Sequence, residues 1–249
     1  MASDFPVFTA GQVLEATGGI LLCGAPHDEF HGVTTDSRHV HDRNLFIALH
    51  GEKYDGHDFL QMALSCGAAG LVVQDENKVK TFMQGSKAAV VKVADTLQAL
   101  GDLAHFYRRR FKIPVIGLTG SSGKTTTKEM IAAIIGREKN ILMTEGNLNN
   151  LIGLPQTLFR LNKDHELALL EMGTNTVGEI KRLTRIAVPD IGLITNVGPA
   201  HLAGFGSVDV VREEKGNLFF HMAPAGTAVI NLDDEAVRIV AEKWNGKRI

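Results

Sequence analysis

The residues with the clearest chemical potential follow a short apolar strand in the stretch 113–128, where a glycine-rich turn leads into Lys124 and Thr125. Such a turn lets successive backbone N–H groups converge on phosphate oxygens, and the helix that follows points its positive end at them. Lys124 would add a positive charge and Thr125 a hydroxyl ligand for Mg²⁺, although the spacing G-x-x-x-x-G-K-[ST], counted back from Gly123, reaches Leu118 instead of glycine. We therefore predict a triphosphate-binding loop, rather than a glycine-rich turn without a ligand, with these contact residues: Gly120, Ser121, Ser122, Gly123, Lys124, Thr125 and Thr126.

Two further candidates lie where predicted strands end. Glu171 follows the apolar run 167–170, and an isolated carboxylate at the end of a buried strand is costly unless it meets a cation. We therefore favour a Mg²⁺ ligand for Glu171 over a helix cap or a salt bridge. His201 follows Asn196 in a loop rich in glycine and proline, so we favour a site role for it over the structural role that a lone histidine more often has.

Three polar residues are ambiguous by residue type. Asn149 and Asn150 lie in a polar loop after the predicted strand 140–143. They could hydrogen-bond a phosphate, a Mg²⁺-bound water or a substrate, or they could cap the next helix, and their spacing does not separate these roles. Lys215 lies within a predicted helix, where a lysine is ordinarily a solvated charge.

The order of the predicted elements indicates an α/β protein with two domains. Residues 1–110 mix short elements, which predicts a small mixed α/β domain: strands 30–35, 45–49, 71–74 and 88–93, and helices 56–65 and 95–110. Residues 111–249 alternate regularly, which predicts a mostly parallel sheet with ligands at the carboxyl ends of its strands: strands 113–118, 140–143, 166–172, 191–196 and 226–231, and helices 124–136, 153–161, 178–187, 207–222 and 233–243. We predict no terminal element after the last helix, in residues 244–249, and therefore expect an incomplete, P-loop-type ATPase domain in a truncated chain.

Composition disfavours several classes of function. The 249 residues are 44% hydrophobic and 22% charged, enough for a substantial core, and a net charge of −2 provides no field for gathering nucleic acid or an anionic membrane. The basic run 108–110 is expected to be a solvated helix end rather than a nucleic-acid patch. Cys23 and Cys66 have neither disulfide nor zinc-ligand spacing, and no signal peptide is evident, so we expect a cytoplasmic protein without membrane insertion.

Five motifs, taken together and in this order, resemble those of the Mur ligase family of peptidoglycan synthesis: residues 119–125, 146–155, 171–175, 196–202 and 215–219. Three upstream motifs resemble the family's uridine-nucleotide-binding domain: residues 35–38, 45–51 and 55–59. The resemblance therefore covers essentially the whole chain. It implies that residues 1–110 bind a UDP-sugar and that residues 111–249 form part of the central ATP-binding domain, with the C-terminal domain absent.

The resemblance also implies roles that residue types alone do not assign. ATP and Mg²⁺ are the implied cofactors, and Lys215 corresponds to the family's carbamylated lysine, which takes up CO₂ and becomes an anionic ligand. The implied catalytic residues are Lys124, Lys215, His201 and Glu171, and the implied metal ligands are Thr125, Glu171, His201 and Lys215. The residues implied to contact the UDP-linked substrate are Ser37, Arg38, Asp55, His57, Asn149 and Asn150.

The reaction implied by the resemblance joins D-alanyl-D-alanine to UDP-N-acetylmuramoyl-tripeptide. The substrate carboxylate attacks the γ-phosphate of ATP to give an acyl phosphate, and the dipeptide amine then displaces phosphate, while cations stabilise the transferring phosphoryl group. We expect a monomer. Because the family's third domain is missing, we also expect that this chain alone does not ligate.

Two positions depart from the family pattern, and three alternatives compete with it. Thr176 replaces a histidine common after Glu-Met-Gly-x-Asn, and residues 42–44 lack a glycine common before Leu-Phe.

A MurE-like ligase or a folylpolyglutamate synthetase would share the phosphate loop, but the motifs at 146–150 and 196–201 favour the D-alanyl-D-alanine-adding branch. A nucleotide-binding module that only signals or assembles would be favoured by a strand ending in aspartate, where this chain has Glu171 instead. A non-catalytic UDP-sugar-binding protein would be favoured by loss of Lys124 or Lys215, and both are present.

Overall fold

The computed structural model describes residues 6–51, 53–83, 87–199 and 205–249. Its contacts divide the chain into two compact units, an N-terminal unit, Met1–Tyr107, and a C-terminal unit, Arg108–Ile249. Among the helices of the described ranges, none combines the length and the apolarity needed to cross a bilayer.

The N-terminal unit is built from short elements around one mixed sheet. Its strands are β1 (Val7–Thr9), β2 (Ile20–Cys23), β3 (Glu29–His31), β4 (Val33–Thr34), β5 (Leu45–Ile47), β6 (Gly70–Val73) and β7 (Ala89–Lys92). Its helices are α1 (Ala10–Thr17), α2 (Leu60–Ser65), α3 (Asn77–Met83) and α4 (Thr96–Arg108), with 3-10 turns at Ser37–His39 and Gly56–Phe59. The main sheet has the order β2-β7-β6-β5-β4, in which β2 is antiparallel to β7 and the other pairs are parallel. A separate antiparallel pair joins β1 to β3.

Several elements of this unit differ from those predicted. Gly32, with a φ of 92°, separates β3 from β4 inside the predicted strand 30–35, because a left-handed residue interrupts the extended backbone. The predicted helix 56–65 begins as a 3-10 turn before α2. Four elements of this unit, β1, α1, β2 and α3, are absent from the prediction. A capping box marks the start of α1, since Thr9 and Gln12 each accept the other's backbone N–H, and this signal could have revealed the helix.

The core of the N-terminal unit lies against this sheet and is closely packed. Phe46, Leu71 and Val90 are almost fully buried on neighbouring strands, and Leu60 of α2 is buried with them. A Cβ atom on Gly70 would lie 2.4 Å from the nearest atom of the Phe30 ring, so only glycine fits there. The sheet therefore holds the intervening turns, which carry the candidate residues of this unit.

The C-terminal unit is a parallel sheet whose strands alternate with helices. Its strands are β8 (Val115–Thr119), β9 (Ile141–Met143), β10 (Leu167–Glu171), β11 (Ile191–Ile194), β12 (Thr227–Ile230) and β13 (Lys247–Arg248). Its helices are α5 (Lys124–Ile135), α6 (Gly153–Leu158), α7 (Glu179–Ala187), α8 (Val208–His221) and α9 (Glu235–Glu242). The strand order is β13-β12-β11-β8-β10-β9, and each of these neighbouring pairs is parallel.

Strand β8 is the point at which the strand order of this sheet reverses. All five of its residues are buried, and it pairs with β10 on one side and β11 on the other. The loops that leave the carboxyl ends of neighbouring strands diverge at such a point and open a crevice, where α/β sheets bind their ligands. The glycine-rich turn follows β8, so the fold places it at this crevice.

The end of the C-terminal unit differs from the expectation for residues 244–249. Lys247 and Arg248 form β13, which pairs in parallel with Thr227 and Ala228 of β12. The expectation that no element follows the last helix is therefore wrong. A strand of two charged residues has neither the length nor the apolar pattern from which strands are predicted.

Arg108 also corrects an expectation, because it is not part of a solvated helix end. Its side chain is only 11% exposed and lies 3.7 Å from the Asp190 carboxylate. Its guanidinium donates at 2.9–3.3 Å to three backbone carbonyls, those of Ala187, Phe111 and Ile113. Burial lowers the pKa of Arg108, and the charge of Asp190 opposes this effect. Arg109, the next residue of the basic run, is exposed as expected.

Candidate functional site

The glycine-rich loop between β8 and α5 allows close packing of the backbone. Gly123 has a φ of 74° and immediately precedes α5, whose first residue is Lys124. A Cβ atom on Gly120 would lie 1.8 Å from Thr195 Oγ1, so only glycine fits at this position. Lys124 Nζ donates to the Gly120 carbonyl oxygen at 2.9 Å, which holds the lysine against the loop. The loop thus combines a helix N-terminus with an ammonium group, and both attract phosphate.

The loop that follows β11 is hydrogen-bonded to this glycine-rich loop. Asn196 accepts the Ser122 N–H at its Oδ1 and the Ser121 N–H at its carbonyl oxygen, each at 3.0 Å. Ser121 Oγ donates to the Gly198 carbonyl oxygen at 3.0 Å, and Thr195 Oγ1 donates to the Ser122 carbonyl oxygen at 2.7 Å. In this structure two of the predicted phosphate contacts, Ser121 and Ser122, therefore have their backbone N–H groups bonded to Asn196.

Glu171 is a buried carboxylate to which distant parts of the chain converge. It ends β10 and is 2% exposed. Its Oε2 accepts the Thr125 hydroxyl at 3.0 Å, and its Oε1 accepts the Asn149 amide N–H at 2.9 Å. Its backbone N–H donates to Thr144 Oγ1 at 3.0 Å. A buried carboxylate beside a hydroxyl offers the hard oxygen donors that Mg²⁺ prefers, so this donor set fits the predicted metal.

The two adjacent asparagines have different partners. Asn149 is bonded to Glu171, and a Cβ atom on Gly173 would lie 2.8 Å from Asn149 Oδ1, so the backbone of the 171–175 motif approaches this side chain closely. Asn150 Oδ1 accepts the backbone N–H groups of Ile152 at 3.1 Å and Gly153 at 2.8 Å, at the start of α6. The structure therefore brings Asn149 into the site network and gives Asn150 a helix-capping role.

Lys215 is buried on α8, at 3% exposure, and is therefore not the solvated charge that residue type alone indicates. Burial lowers the pKa of Lys215 to about 8, with a further lowering from the charge of Lys124 and an opposing contribution from Glu214. Glu214 is 1% exposed and accepts the backbone N–H groups of Gly178 and Ile180 at 2.7 Å each. The buried Glu214 thus caps α7 and fixes α8 against it.

The remaining predicted metal ligand, His201, lies outside the described residues. Within the described ranges, no group of three or more His, Cys, Asp and Glu side chains could hold a metal ion. Of the four predicted ligands, Thr125 and Glu171 are in direct contact. Thr126, the last predicted phosphate contact, lies exposed in the first turn of α5.

In the N-terminal unit, Ser37 and Arg38 lie in the first 3-10 turn. Asp36 caps this turn, and its carboxylate accepts the Arg38 backbone N–H at 3.0 Å and the guanidinium at 2.9 and 2.7 Å. The hydrogen bonds from Arg38 hold the pKa of Asp36 well below its usual range. Ser37 is 7% exposed, whereas the Arg38 side chain is 76% exposed. Arg38 therefore reaches solvent while Asp36 restrains it.

Asp55 and His57 lie at the second 3-10 turn and form a pair in which the half-buried Asp55 contacts a buried His57 ring. Asp55 Oδ1 lies 2.6 Å from His57 Nδ1, and His57 Nε2 accepts the Gln74 backbone N–H at 3.0 Å. Because a backbone N–H can only donate, Nε2 is unprotonated and Nδ1 carries the proton that Asp55 accepts. Both ring nitrogens of His57 are thereby bonded within the unit, and its side chain is 1% exposed.

Sequence reasoning missed two residues that support the site. Thr144 directly follows β9 and accepts the Glu171 N–H, and its position at the carboxyl end of a strand was an available signal. Lys128 lies one helical turn after Lys124, a spacing that places both on the same face of α5. Its ammonium donates to the Thr144 carbonyl oxygen at 2.7 Å.

The parallel sheet, the glycine-rich loop at its switch point and the buried Glu171 at the end of a neighbouring strand give the C-terminal unit the α/β architecture in which nucleotide-binding proteins hold their ligands. Comparison with known proteins then gives the family. The Mur ligase middle domain matches residues 118–249, and the catalytic domain of the Mur ligase family matches residues 29–108. The chain belongs to the Mur ligase family.

Individual relatives agree with this assignment. A UDP-N-acetylmuramoyl-tripeptide–D-alanyl-D-alanine ligase of Synechocystis is 43% identical over 88% of this chain and 48% of its own length. The Haemophilus influenzae ligase of the same name is 40% identical over 89% and 47%. Among solved structures, MurF from Acinetobacter baumannii superposes with a TM-score of 0.89 at 35% identity, over 99% of this chain and 53% of that one. MurF ligase from Thermotoga maritima in complex with ADP gives 0.79 at 31% identity, over 87% and 49%.

These comparisons confirm the predicted α/β fold and the family resemblance. They also show that the chain spans about half the length of the curated relatives it matches.

Proposed function

We propose that this chain holds the ATP-binding and UDP-substrate-binding parts of a ligase that joins D-alanyl-D-alanine to UDP-N-acetylmuramoyl-tripeptide and forms ADP and phosphate. The observation that carries the proposal is the buried Glu171, which lies between Thr125 at the start of α5 and Asn149 of the next polar loop. The names of the relatives supply the two substrates. The activity is a proposal for the whole protein, because the chain matches about half of each relative.

For ATP, we propose that the phosphates lie against the glycine-rich loop and the N-terminus of α5. Lys124 supplies the positive charge, and a related MurF ligase was solved with ADP. The proposed contact residues are those of the sequence analysis, Gly120–Thr126. Since Ser121 and Ser122 donate their N–H groups to Asn196, and their hydroxyl groups donate to Gly198 and Asn196 respectively, their contribution to phosphate binding requires a rearrangement of the loop.

For Mg²⁺, we propose Thr125, Glu171, His201 and Lys215 as the residues that would hold it. When bound, the ion would neutralise charge on the phosphate oxygens. Glu171 supports this role because two neutral donors, a hydroxyl and an amide, are the partners of its buried carboxylate. Such a carboxylate is stabilised more by a cation than by these hydrogen bonds alone.

For Lys215, we propose that its neutral amine takes up CO₂ to form a carbamate, with a new N–C bond and release of one proton. Burial on α8, which favours the uncharged amine, supports this reaction. The product is an anion with two oxygen donors, whereas the original lysine is a cation. Carbamate formation would therefore convert Lys215 from a residue that repels Mg²⁺ into one that binds it.

For the UDP-linked substrate, we propose residues 1–110, with Ser37, Arg38, Asp55 and His57 at the binding site. Arg38 is largely exposed and retains N–H donors beyond those given to Asp36, which suits a diphosphate. Asp55 and His57 fix the second turn. Asn149 and Asn150 are proposed to contact the sugar-peptide or the phosphate.

The proposed reaction has two displacement steps. First, a carboxylate oxygen of the tripeptide bonds to the γ-phosphorus of ATP as the bond to the ADP oxygen breaks, which gives an acyl phosphate. Lys124 offsets the charge on the transferring phosphoryl group. Second, the dipeptide amine bonds to the acyl carbon and phosphate leaves with the amine proton. We propose that this occurs in the cytoplasm and that the protein is a monomer.

Substrate-dependent turnover tests the activity. With the natural gene product that contains these residues, release of ADP and phosphate should require UDP-N-acetylmuramoyl-tripeptide, D-alanyl-D-alanine and Mg²⁺ together. Turnover that is indifferent to all of them would contradict the proposal. Lys215→Ala should lose activity and regain part of it with an added short-chain carboxylate, and normal activity without that addition would exclude the carbamate.

Nucleotide binding tests the site in this chain itself. Calorimetry should show that ADP binds in the presence of Mg²⁺, and that Lys124→Ala weakens this binding at least about tenfold, because a charge-assisted contact to phosphate is lost. Lys139→Ala is the matched control, since Lys139 is an exposed lysine after the same helix. Equal affinity of the two variants would exclude the proposed nucleotide site.

A further inference from the structure

Lys128 is a buried lysine that the proposed chemistry does not use. It lies in the middle of α5 at 1% exposure and is among the largest fully buried side chains of the described residues. Burying an ammonium group is costly unless its hydrogen bonds are made, and an apolar side chain of similar length would fill the same space without that cost. The Glu129 carboxylate lies 3.1 Å from Lys128 Nζ, but the Glu129 side chain is 55% exposed, so this ion pair alone does not account for a buried ammonium group.

The contacts of Lys128 lead to the site. Its Nζ donates to the carbonyl oxygen of Thr144 at 2.7 Å, and Thr144 is itself 0% exposed. The Thr144 hydroxyl accepts the backbone N–H of Glu171 at 3.0 Å. Two hydrogen bonds in series thus connect the phosphate-loop helix, through Thr144, to the residue proposed to bind Mg²⁺.

Lys128, from α5, contacts the first residue of the polar loop that carries Asn149. Thr144 opens this loop, and the next residue, Glu145, bonds to Arg160 at 2.7 Å. The hydrogen bond from Arg160, with a smaller contribution from the charge of Lys128, keeps the pKa of Glu145 below its usual range. Lys128 therefore anchors the first residue of the loop, and Asn149 near its end is anchored by Glu171.

We propose that Lys128 is a positioning residue, which fixes Thr144 and, through it, the backbone of Glu171, so that the Glu171 carboxylate and the Thr125 hydroxyl meet at the metal-binding position. Lys128 acts through Thr144 and does not itself touch nucleotide or metal. This inference rests on the proposed function for the identity of the ligand, but the Lys128–Thr144–Glu171 linkage exists without it.

The linkage predicts that Lys128 affects nucleotide affinity mainly when Mg²⁺ is present. Loss of the Lys128 ammonium should weaken the Mg²⁺-dependent part of nucleotide binding. The reason is that removing a group that orients a metal ligand commonly lowers metal affinity by about ten- to a hundredfold. The same loss should leave the Mg²⁺-free part, which depends on Lys124 and the glycine-rich loop, almost unchanged. A lysine needed only for folding would lower stability without this selective effect.

The experiment measures ADP affinity of this chain by calorimetry, with and without Mg²⁺. Lys128→Met should weaken binding with Mg²⁺ about tenfold and binding without Mg²⁺ less than about twofold. Thr144→Val should reproduce this result and Thr144→Ser should resemble the wild type, because only serine keeps the hydroxyl. Lys139→Met is the control for loss of a lysine. If Lys128→Met does not fold, the comparison of Thr144→Val with Thr144→Ser tests the proposal. The linkage needs both the Lys128–Thr144 and the Thr144–Glu171 hydrogen bonds, and Thr144→Val removes the second.

Amide hydrogen exchange provides a second readout that needs no ligand. Exchange at the Glu171 N–H should accelerate at least about tenfold in Lys128→Met and in Thr144→Val, relative to Lys139→Met. Unchanged exchange together with unchanged Mg²⁺ dependence would overturn the inference. A wild-type chain that binds no ADP would instead contradict the proposed function, and the exchange data would still decide the linkage.

Discussion

The two units hold their candidate residues through hydrogen bonds of very different sequence range. In the C-terminal unit, Thr125 reaches Glu171 across 46 positions and Asn149 reaches it across 22. In the N-terminal unit, the hydrogen bonds from Arg38 to Asp36 and from His57 to Asp55 each span two positions. The first network forms only when distant strands pair in the sheet, whereas the second is set by local turns.

This difference agrees with the ligands proposed for the two units. A metal ion and a transferring phosphoryl group need oxygen atoms held within about 0.5 Å of the productive geometry. A nucleotide-linked sugar is larger, and exposed side chains held by local turns, such as Arg38, can contact it. His57 is the exception in its unit, because its Nε2 accepts the N–H of Gln74, 17 positions away. Substitutions in the C-terminal network should therefore act on the whole site, and those in the N-terminal turns should act locally.

The largest expected effect comes from adding one methyl group to the glycine-rich loop. Gly120→Ala would place Cβ 1.8 Å from Thr195 Oγ1, which must then leave its hydrogen bond to the Ser122 carbonyl. We expect ADP binding to weaken at least about a hundredfold, and the free energy of unfolding to fall by about 3 kcal/mol. Calorimetry and urea denaturation measure the two quantities.

Gly51→Ala in the N-terminal unit is the matched change. A Cβ atom there would lie 3.4 Å from its nearest neighbour, the Tyr54 carbonyl oxygen, so we expect a change in unfolding free energy within about 0.5 kcal/mol and unaltered ADP binding. If both alanine variants bind ADP like the wild type, the close approach at Gly120 has no role in shaping the nucleotide site.

The next effect is on the metal dependence of nucleotide binding. Glu171→Gln keeps the shape of the side chain but removes its charge, so we expect affinity for ADP with Mg²⁺ to fall by roughly a hundredfold and affinity without Mg²⁺ to change little. Asp36→Asn, which removes a carboxylate from an N-terminal turn, should leave both affinities intact and instead weaken binding of the UDP-linked substrate. A similar loss of metal dependence in both variants would remove the distinction between the units.

The fold of the C-terminal unit was more predictable than that of the N-terminal unit for a physical reason. Strands such as β8 and β10 are buried on both faces, so they occur as continuous apolar runs between helices of regular length. In the N-terminal unit, strands of three or four residues, such as β1 and β2, leave too little periodicity to recognise. The capping box at Thr9 was the clearest signal overlooked.

The site was predictable to the extent that its residues follow apolar strands. Glu171 could be identified in this way because a charge at the end of a buried strand needs a partner, and its burial is confirmed. Lys128 could not be identified from the sequence, because the burial of a helical lysine depends on the loop that packs over it. In this fold that loop begins at Thr144, whose carbonyl oxygen accepts the Lys128 ammonium. For the same reason, the sequence did not reveal that Arg108 turns inward to bond carbonyls as distant as that of Ala187.

Arg108 tests whether long-range bonds also dominate stability outside the site. Arg108→Met would leave three carbonyl oxygens without a charged donor, those of Ala187, Phe111 and Ile113. We expect the free energy of unfolding of the C-terminal unit to fall by about 2 kcal/mol, measured by urea denaturation. Arg109→Met, at the exposed neighbour, should change it by less than about 0.5 kcal/mol. Equal effects would show that the buried guanidinium contributes no more than a surface charge.

The smallest effect concerns the local pair in the N-terminal unit and depends on pH. Burial raises the pKa of Asp55, but hydrogen bonds from the His57 backbone and ring, and the charge of Lys78, outweigh it, so the pKa lies below the usual 3.8. The folded state therefore binds this proton more weakly than the unfolded state. The stabilisation is present above the unfolded pKa and is lost as pH falls through the folded value.

Asp55→Asn isolates this contribution. We expect the variant to be about 1 kcal/mol less stable than the wild type at neutral pH, with the difference shrinking below about pH 4, as measured by urea denaturation at a series of pH values. Asp58→Asn is the control, because its carboxylate is 58% exposed and contacts Lys78 at the surface. A difference for Asp55→Asn that stays constant with pH would mean that the pair stabilises the turn through its shape, and that the charge held between His57 and Lys78 is not what fixes the local geometry of this unit.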